Sequence, residues 1–348
     1  RHTRSLCDWS SDVCSSDLID SQQWALRFKP TSSSTELVGE SFRMRNFQPQ
    51  ATMVYSVICD STCSEFAIST GPAPELTVSS RPPAVAGTFY PAEDVAREDQ
   101  VDLLLAGLPT AKKKTVAAVM VPHAGLRYSG RIAADVWRQI EVPDRVLIIG
   151  PKHTADGLPW AVAPHDRWML SNTATMTGDA ELAKQLATVV PGMELDATAH
   201  RLEHGIEVQL PLLYRLAPKT KVSAIAMSNA SRDQLRVTAK ALASFLRDIP
   251  DPPLLVISSD MNHFADDQEN RRRDQMALNA LSRNDPEGLL TICDQENISM
   301  CGKVPAALVL MTLQELNQST KYTEIGYGTS GDVTGDRSRV VGYAGILM

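Results

Sequence analysis

Three apolar runs in this chain each end a few residues before a histidine. They read Val116-Ala-Ala-Val-Met-Val-Pro-His123, Val146-Leu-Ile-Ile-Gly-Pro-Lys-His153 and Leu254-Leu-Val-Ile-Ser-Ser-Asp-Met-Asn-His263. Unbroken apolar runs of this length are the pattern of strands buried on both faces. In open α/β sheets ligands bind beyond the carboxyl ends of the strands, so three imidazoles delivered to that edge can converge on one site. Neutral imidazole is a metal ligand and, near neutral pH, a proton carrier. Taken singly, each histidine would more readily cap its strand or bond a neighbouring carbonyl. The chain has only seven His in all, so three in equivalent positions favour a shared site.

Two further segments add metal-binding chemistry. Ser299-Met-Cys-Gly-Lys-Val-Pro305 sets Cys301 just before a helix expected from Pro305 to Leu316, where the helix dipole and free amides would favour thiolate. Cys301 is therefore a candidate ligand or reactive thiol; Cys293, inside an apolar turn, reads as a small buried hydrophobe. Arg201-Leu-Glu-His-Gly-Ile-Glu-Val-Gln-Leu-Pro211 puts His204 and Glu207 three apart on one face of a helical turn that Pro211 interrupts. That spacing suits a ligand pair, a hydrogen-bonded supporting pair or an exposed helix face. His165 and His200, beside charged neighbours, are expected at the surface.

Positioning these groups needs a sheet. Short apolar runs alternate with helical patterns from about Arg81 onward, which predicts an α/β fold with a mostly parallel central sheet flanked by helices. Strands are expected at 116–121, 145–149, 222–227, 254–258, 322–325 and 340–347. Helices are expected to start at Ser129, at Asp179 and at Ser231, where Gln234 completes a capping box. Gly326–Asp332 reads as a turn or site-lining loop.

Residues 1–80 read differently. They hold 16 Ser and no steady apolar period, and Cys7–Leu18 nearly duplicates itself in the manner of translated sequencing-adapter read-through. They are read as an unstructured or artefactual extension, Thr52–Ile58 being the one stretch that could add a strand, with the ordered domain at 81–348. Prolines between Gly71 and Pro83 mark the boundary as a linker.

Composition narrows the classes. The chain is 348 residues long, 43% hydrophobic and 22% charged, with a net charge of −7 and no basic block, which disfavours a nucleic-acid partner. No apolar run approaches the roughly 18 residues that span a bilayer, so no membrane association is expected, and without a secretory pattern the expected compartment is the cytoplasm. Only Cys293 and Cys301 lie beyond residue 80, too few for a disulfide framework. Phosphate-loop, nucleophile-elbow and His-Glu-x-x-His templates are absent from the sequence.

From Arg81 the chain resembles the Memo family, called AmmeMemoRadiSam system protein B in bacteria and archaea. The resemblance rests on Arg81-Pro-Pro-Ala-Val-Ala-Gly-Thr-Phe-Tyr-Pro91, Val121-Pro-His-Ala-Gly-Leu-Arg-Tyr-Ser-Gly130 and Gly150-Pro-Lys-His153. Glu203-His-Gly-Ile-Glu-Val-Gln-Leu-Pro211, Ser258-Ser-Asp-Met-Asn-His263 and Cys301-Gly-Lys-Val-Pro305 complete it, in the family's order. It implies a fold similar to class III extradiol ring-cleaving dioxygenases, with non-haem iron(II) as the metal. By motif, His123 and His153 match two ligands, Cys301 stands at the third, His263 matches the acid/base histidine with Asp260 beside it, and His204 and Glu207 would support the ligands. A thiolate in place of the usual carboxylate makes copper or zinc competitive, and leaves a divalent site with a net charge of +1 and open positions. Leu126 departs from the aromatic that the family usually has after His-Ala-Gly. The resemblance implies a metal-dependent redox function on an unknown substrate. The rival readings are a non-catalytic module for a small-molecule or peptide ligand, and iron or copper handling. It also implies a functional link to radical-SAM and AMMECR1-type proteins.

Overall fold

Each of the six runs expected as strands holds one in the computed structural model, which describes residues 79–107, 112–318 and 321–348. The readings made for residues 1–78, including the strand at Thr52–Ile58, lie outside the described residues. The first elements are β1 (Ser80–Arg81), α1 (Asp94–Leu105), β2 (Ala118–Val121), α2 (Leu126–Gln139) and β3 (Arg145–Pro151). Then come β4 (Trp160–Val162), β5 (Arg167–Met169), β6 (Thr175–Thr177), α3 (Ala180–Val189) and β7 (Glu194–Leu195). Three short helices follow, α4 (Ala197–His200), α5 (His204–Glu207) and α6 (Leu210–Leu216), then β8 (Lys221–Met227), α7 (Arg232–Asp248) and β9 (Leu254–Ser258). The chain ends with β10 (His263–Ala265), α8 (Asp267–Ser282), α9 (Pro286–Gln295), α10 (Lys303–Glu315), β11 (Thr323–Thr329), α11 (Ser330–Thr334) and β12 (Val340–Leu347).

The main sheet runs β10-β12-β2-β9-β3-β8-β4-β7, with β11 also on β12. Its centre, β2-β9-β3-β8, is parallel throughout, as the unbroken apolar runs require. Antiparallel pairs flank it: β12 on β2 and β4 on β8. The β11–β12 connection, spanned only by α11 and a turn, is too short for a parallel crossover, so that pair is antiparallel too. The fold is thus α/β, consistent with a dioxygenase-like scaffold. A separate small sheet, β1-β5-β6, carries the first described residues.

Alternate strand residues feed two cores, one on each face. Met120, Leu147, Ile149, Ile225 and Ile257 pack under α3, α7, α9 and α10, while Val119, Val121, Ile148, Ala224 and Val256 pack under α2 and α6. Helix starts follow the expected caps at two places. Asp179 accepts from Leu182 N at 3.2 Å, and Ser231 and Gln234 form the reciprocal box. The third start is earlier than expected, because α2 begins at Leu126 and Ser129 lies inside it, its hydroxyl donating to the Ala124 carbonyl. Leu126, where the family usually has an aromatic, is buried in the core. The Gly326–Asp332 segment is not a loop either: it ends β11 and opens α11, where Asp332 completes a capping box with Thr329.

Candidate metal centre

Strand order explains why the histidines meet. β2 and β3 lie on either side of β9, all three parallel, so the residues just past their carboxyl ends share one edge. His123 follows β2 by two residues, His153 follows β3 by two, and Cys301 comes in from the turn before α10. Gly302 lets that turn press on the end of β9: a Cβ there would lie 2.4 Å from Ser259 Cβ, and its amide donates to Ser259 Oγ at 3.0 Å. The ligand atoms of His123, His153 and Cys301 all fall within 4.8 Å of one another, with His123 Nε2 at 3.3 Å from Cys301 Sγ. Metal bonds of about 2.0–2.3 Å set neighbouring donors of a tetrahedral site roughly 3.3–3.8 Å apart, so the three residues fit a single ion after a small contraction.

Both imidazoles are aimed from behind. Ser258 Oγ donates to the Gly205 carbonyl and accepts from Gln209 Nε2 at 3.0 Å, which leaves it to accept from His123 Nδ1 at 3.0 Å. The His123 lone pair is then on Nε2, toward Cys301. His153 Nδ1 donates to Glu203 Oε1 at 2.7 Å, and Glu203 Oε2 accepts the His153 amide at 2.6 Å. A carboxylate behind a histidine is the usual support for a metal ligand: it fixes the tautomer and raises basicity. His153, Glu203 and His204 also cluster tightly enough for an ion. Glu203 is already committed, however, since its Oε1 accepts the Gly205 amide at 2.8 Å as well.

Burial sets the electrostatics. It lowers His123 to about 3, helped by the charge of His153, and lowers His204 to about 4, so both rings are neutral at pH 7. Burial alone would raise Glu203, but the hydrogen bonds and charge of His153 outweigh it and hold the carboxyl at about 2. Burial pushes the Cys301 thiol far above its ordinary value, and the nearby Asp260 charge adds to this. The thiolate expected from the helix dipole is therefore not favoured by the protein alone. Cys301 sits one residue outside the cap Gly302, and the Asp260 amide, which reaches Sγ at 3.2 Å, does not offset the burial. A bound cation is the partner that would deprotonate it.

The other sequence candidates divide. His204 is at this site, stacked on His153 with ring centroids 4.1 Å apart and edge-on to His123 at 5.5 Å. Glu207 is not. It is fully buried in an ion pair with Arg81 and accepts from Tyr90 Oη at 2.6 Å and from the amides of Ala84 and Val85. Asp260 holds the His123 loop, accepting the amides of His123 at 2.7 Å and Ala124 at 3.2 Å, and does not bond His263. The His263 ring is held instead by the Ser299 carbonyl, 2.9 Å from Nδ1. Next to it Phe264 is 60% exposed in a left-handed conformation, with the Arg339 guanidinium 4.4 Å above its ring. His165 and His200, expected at the surface, are buried: His200 Nε2 donates to the Ala161 carbonyl at 3.0 Å and His165 packs edge-on to Trp168. Sequence reasoning passed over Glu203, Ser258, Gln209 and Ser299. Only Glu203 carried a signal, as the carboxylate beside His204.

Fold and site together define an α/β protein with a histidine and cysteine cluster, able to hold a metal, at the carboxyl edge of its parallel strands. The family model for Memo-like protein matches residues 81–347. A MEMO1 family protein of Aquifex aeolicus (strain VF5) is 37% identical over 269 residues, covering 77% of this chain and 98% of the relative. One of Methanosarcina acetivorans is 34% identical over 270 residues, with shares of 77% and 98%. Another, of Methanopyrus kandleri, is 30% identical over 280 residues with the same shares. The chain belongs to the Memo family. Among the described residues no helix is long and apolar enough to cross a membrane.

Proposed function

We propose that this protein is a mononuclear non-haem metal protein acting in redox chemistry on a small substrate, with His123, His153 and Cys301 as ligands. The observation that carries the reading is the cluster itself, two imidazoles and a thiol within 4.8 Å, each imidazole fixed from behind so that Nε2 faces the cluster. Iron(II) is the metal we favour, with copper or zinc as rivals because of the soft sulfur donor. When bound, the metal would supply Lewis-acid and one-electron chemistry at open positions. Glu203 holds His153 on target, and Asp260 holds the backbone of the His123 loop. His263 takes or gives a proton at Nε2, since its Nδ1 hydrogen is spent on a carbonyl. The free Cys301 thiol suits a reducing compartment, the cytoplasm.

Metal analysis by mass spectrometry tests this. The full chain, purified without oxygen or a histidine tag, is expected to carry about one ion, and the His123→Ala, His153→Ala, Cys301→Ala variant none. Equal trace metal in both would overturn the metal reading and move the weight to recognition of a small-molecule or peptide ligand.

A further inference from the structure

The loop bearing His263 is tied to a buried carboxylate that the proposed chemistry does not use. Asp274, on α8, is fully buried and accepts three hydrogen bonds: from Asn262 N at 2.7 Å, Tyr327 Oη at 2.7 Å and Asn270 Nδ2 at 3.0 Å. Its place is reserved by Gly342 of β12, where a Cβ would lie 1.9 Å from Asp274 Oδ2. Burial raises its carboxyl to about 6 against those donors, which leaves it mainly ionised at neutral pH.

An ionised carboxylate only accepts, and that one-sidedness orients everything bonded to it. Asn270 must turn its NH2 toward Asp274, so its Oδ1 is left to accept from Asn262 Nδ2 at 2.8 Å. Asn262 must then present Oδ1 to Ser299, where it accepts the backbone amide at 2.9 Å and the hydroxyl at 3.1 Å. Ser299, so fixed, receives His263 twice. Its Oγ takes the His263 amide at 2.8 Å and its carbonyl takes Nδ1 at 2.9 Å. We infer that Asp274 is the positioning residue of His263: through Asn270 and Asn262 it holds the Ser299 backbone in place, so that the Ser299 carbonyl meets Nδ1 and keeps the His263 proton there and the lone pair on Nε2. The proposal rests on the proton-transfer role given to His263 above, and supplies the orienting carboxylate that Asp260 does not provide.

The test is the nitrogen spectrum of His263 in the full chain labelled with 15N-histidine at neutral pH, assigned by its loss in His263→Gln. In the wild type the two ring nitrogens are expected as separate resonances, with Nδ1 protonated. In Asp274→Asn one donor must face another somewhere along the chain of bonds, because the backbone amides of Asn262 and Ser299 at its two ends can only donate; the Ser299 segment is expected to loosen from His263, and the two resonances to converge toward a tautomer average. Asn270→Ala, which keeps Asp274 bonded to Asn262 N and Tyr327, is expected to do the same, and serves if Asp274→Asn does not fold. A wild-type His263 protonated on Nε2, or a folded variant with unchanged His263 resonances and only a lower denaturation midpoint, would overturn the proposal. Metal content on the same samples separates the two readings: metal-free wild type with the His263 response intact sinks the metal centre and leaves Asp274 as the positioning residue.

Discussion

At the residue scale, each ligand candidate depends on a neighbour that removes its alternatives. His153 could offer either nitrogen, but Glu203 takes Nδ1 and leaves Nε2 for the cluster. His123 is handled by a neutral hydroxyl, which fixes the tautomer without adding charge. Glu203→Gln keeps an acceptor opposite His153 and removes the charge. It is expected to weaken metal binding about 10–100-fold, read by competition with a chelator. An unchanged affinity would mean that Glu203 serves only the fold.

At the element scale, α4 and α5 form a short connector that must hold Glu203 and His204 still, although four-residue helices have little stability of their own. The first described segment does that holding. Arg81 pairs with Glu207, donates to the carbonyls of His200 and Glu203, and lies over Trp168. This gives the Arg-Pro-Pro-Ala-Val segment a purpose the sequence did not disclose. Glu207→Gln leaves Arg81 buried without its counter-charge, so a loss of about 3–5 kcal/mol is expected in urea unfolding. A change near zero would show that the segment is not held by this pair.

For the whole molecule, the buried histidines make stability depend on acid. Burial lowers both His165 and His200 to about 4, below the roughly 6.5 of the unfolded chain. The unfolded state therefore binds more protons between those values. The stability these two rings supply is full above about pH 6.5, falls as the pH drops toward 4 and is spent below, with His200 contributing on the order of 3 kcal/mol. Asp274, raised by burial to about 6, takes up a proton in the folded state and offsets part of that loss. Denaturation midpoints measured from pH 7.5 to 4.5 should fall, and His200→Gln should flatten the slope. A midpoint independent of pH in the wild type would contradict the neutral, buried state of these rings.

Much of this was legible along the chain. Apolar run length gave the central strands, because strands covered on both faces cannot afford polar positions, and Asp179 and Ser231 marked helix starts through local hydrogen bonds. The metal-ligand candidates His123, His153 and Cys301 could be read because each follows or precedes an element whose direction the pattern reveals. What the sequence could not supply was side-chain direction across long separations. Glu203 and Glu207 lie on the same turn, yet one meets His153 and the other meets Arg81, 126 residues away. Asp260 and Asp274 differ in the same way: the carboxylate near His263 in sequence turns to another loop, while the remote one reaches it through two amides and a serine. Local pattern fixes backbone state and burial, whereas the partner of a buried polar group is chosen by whichever complementary atom the packed elements bring within hydrogen-bond reach.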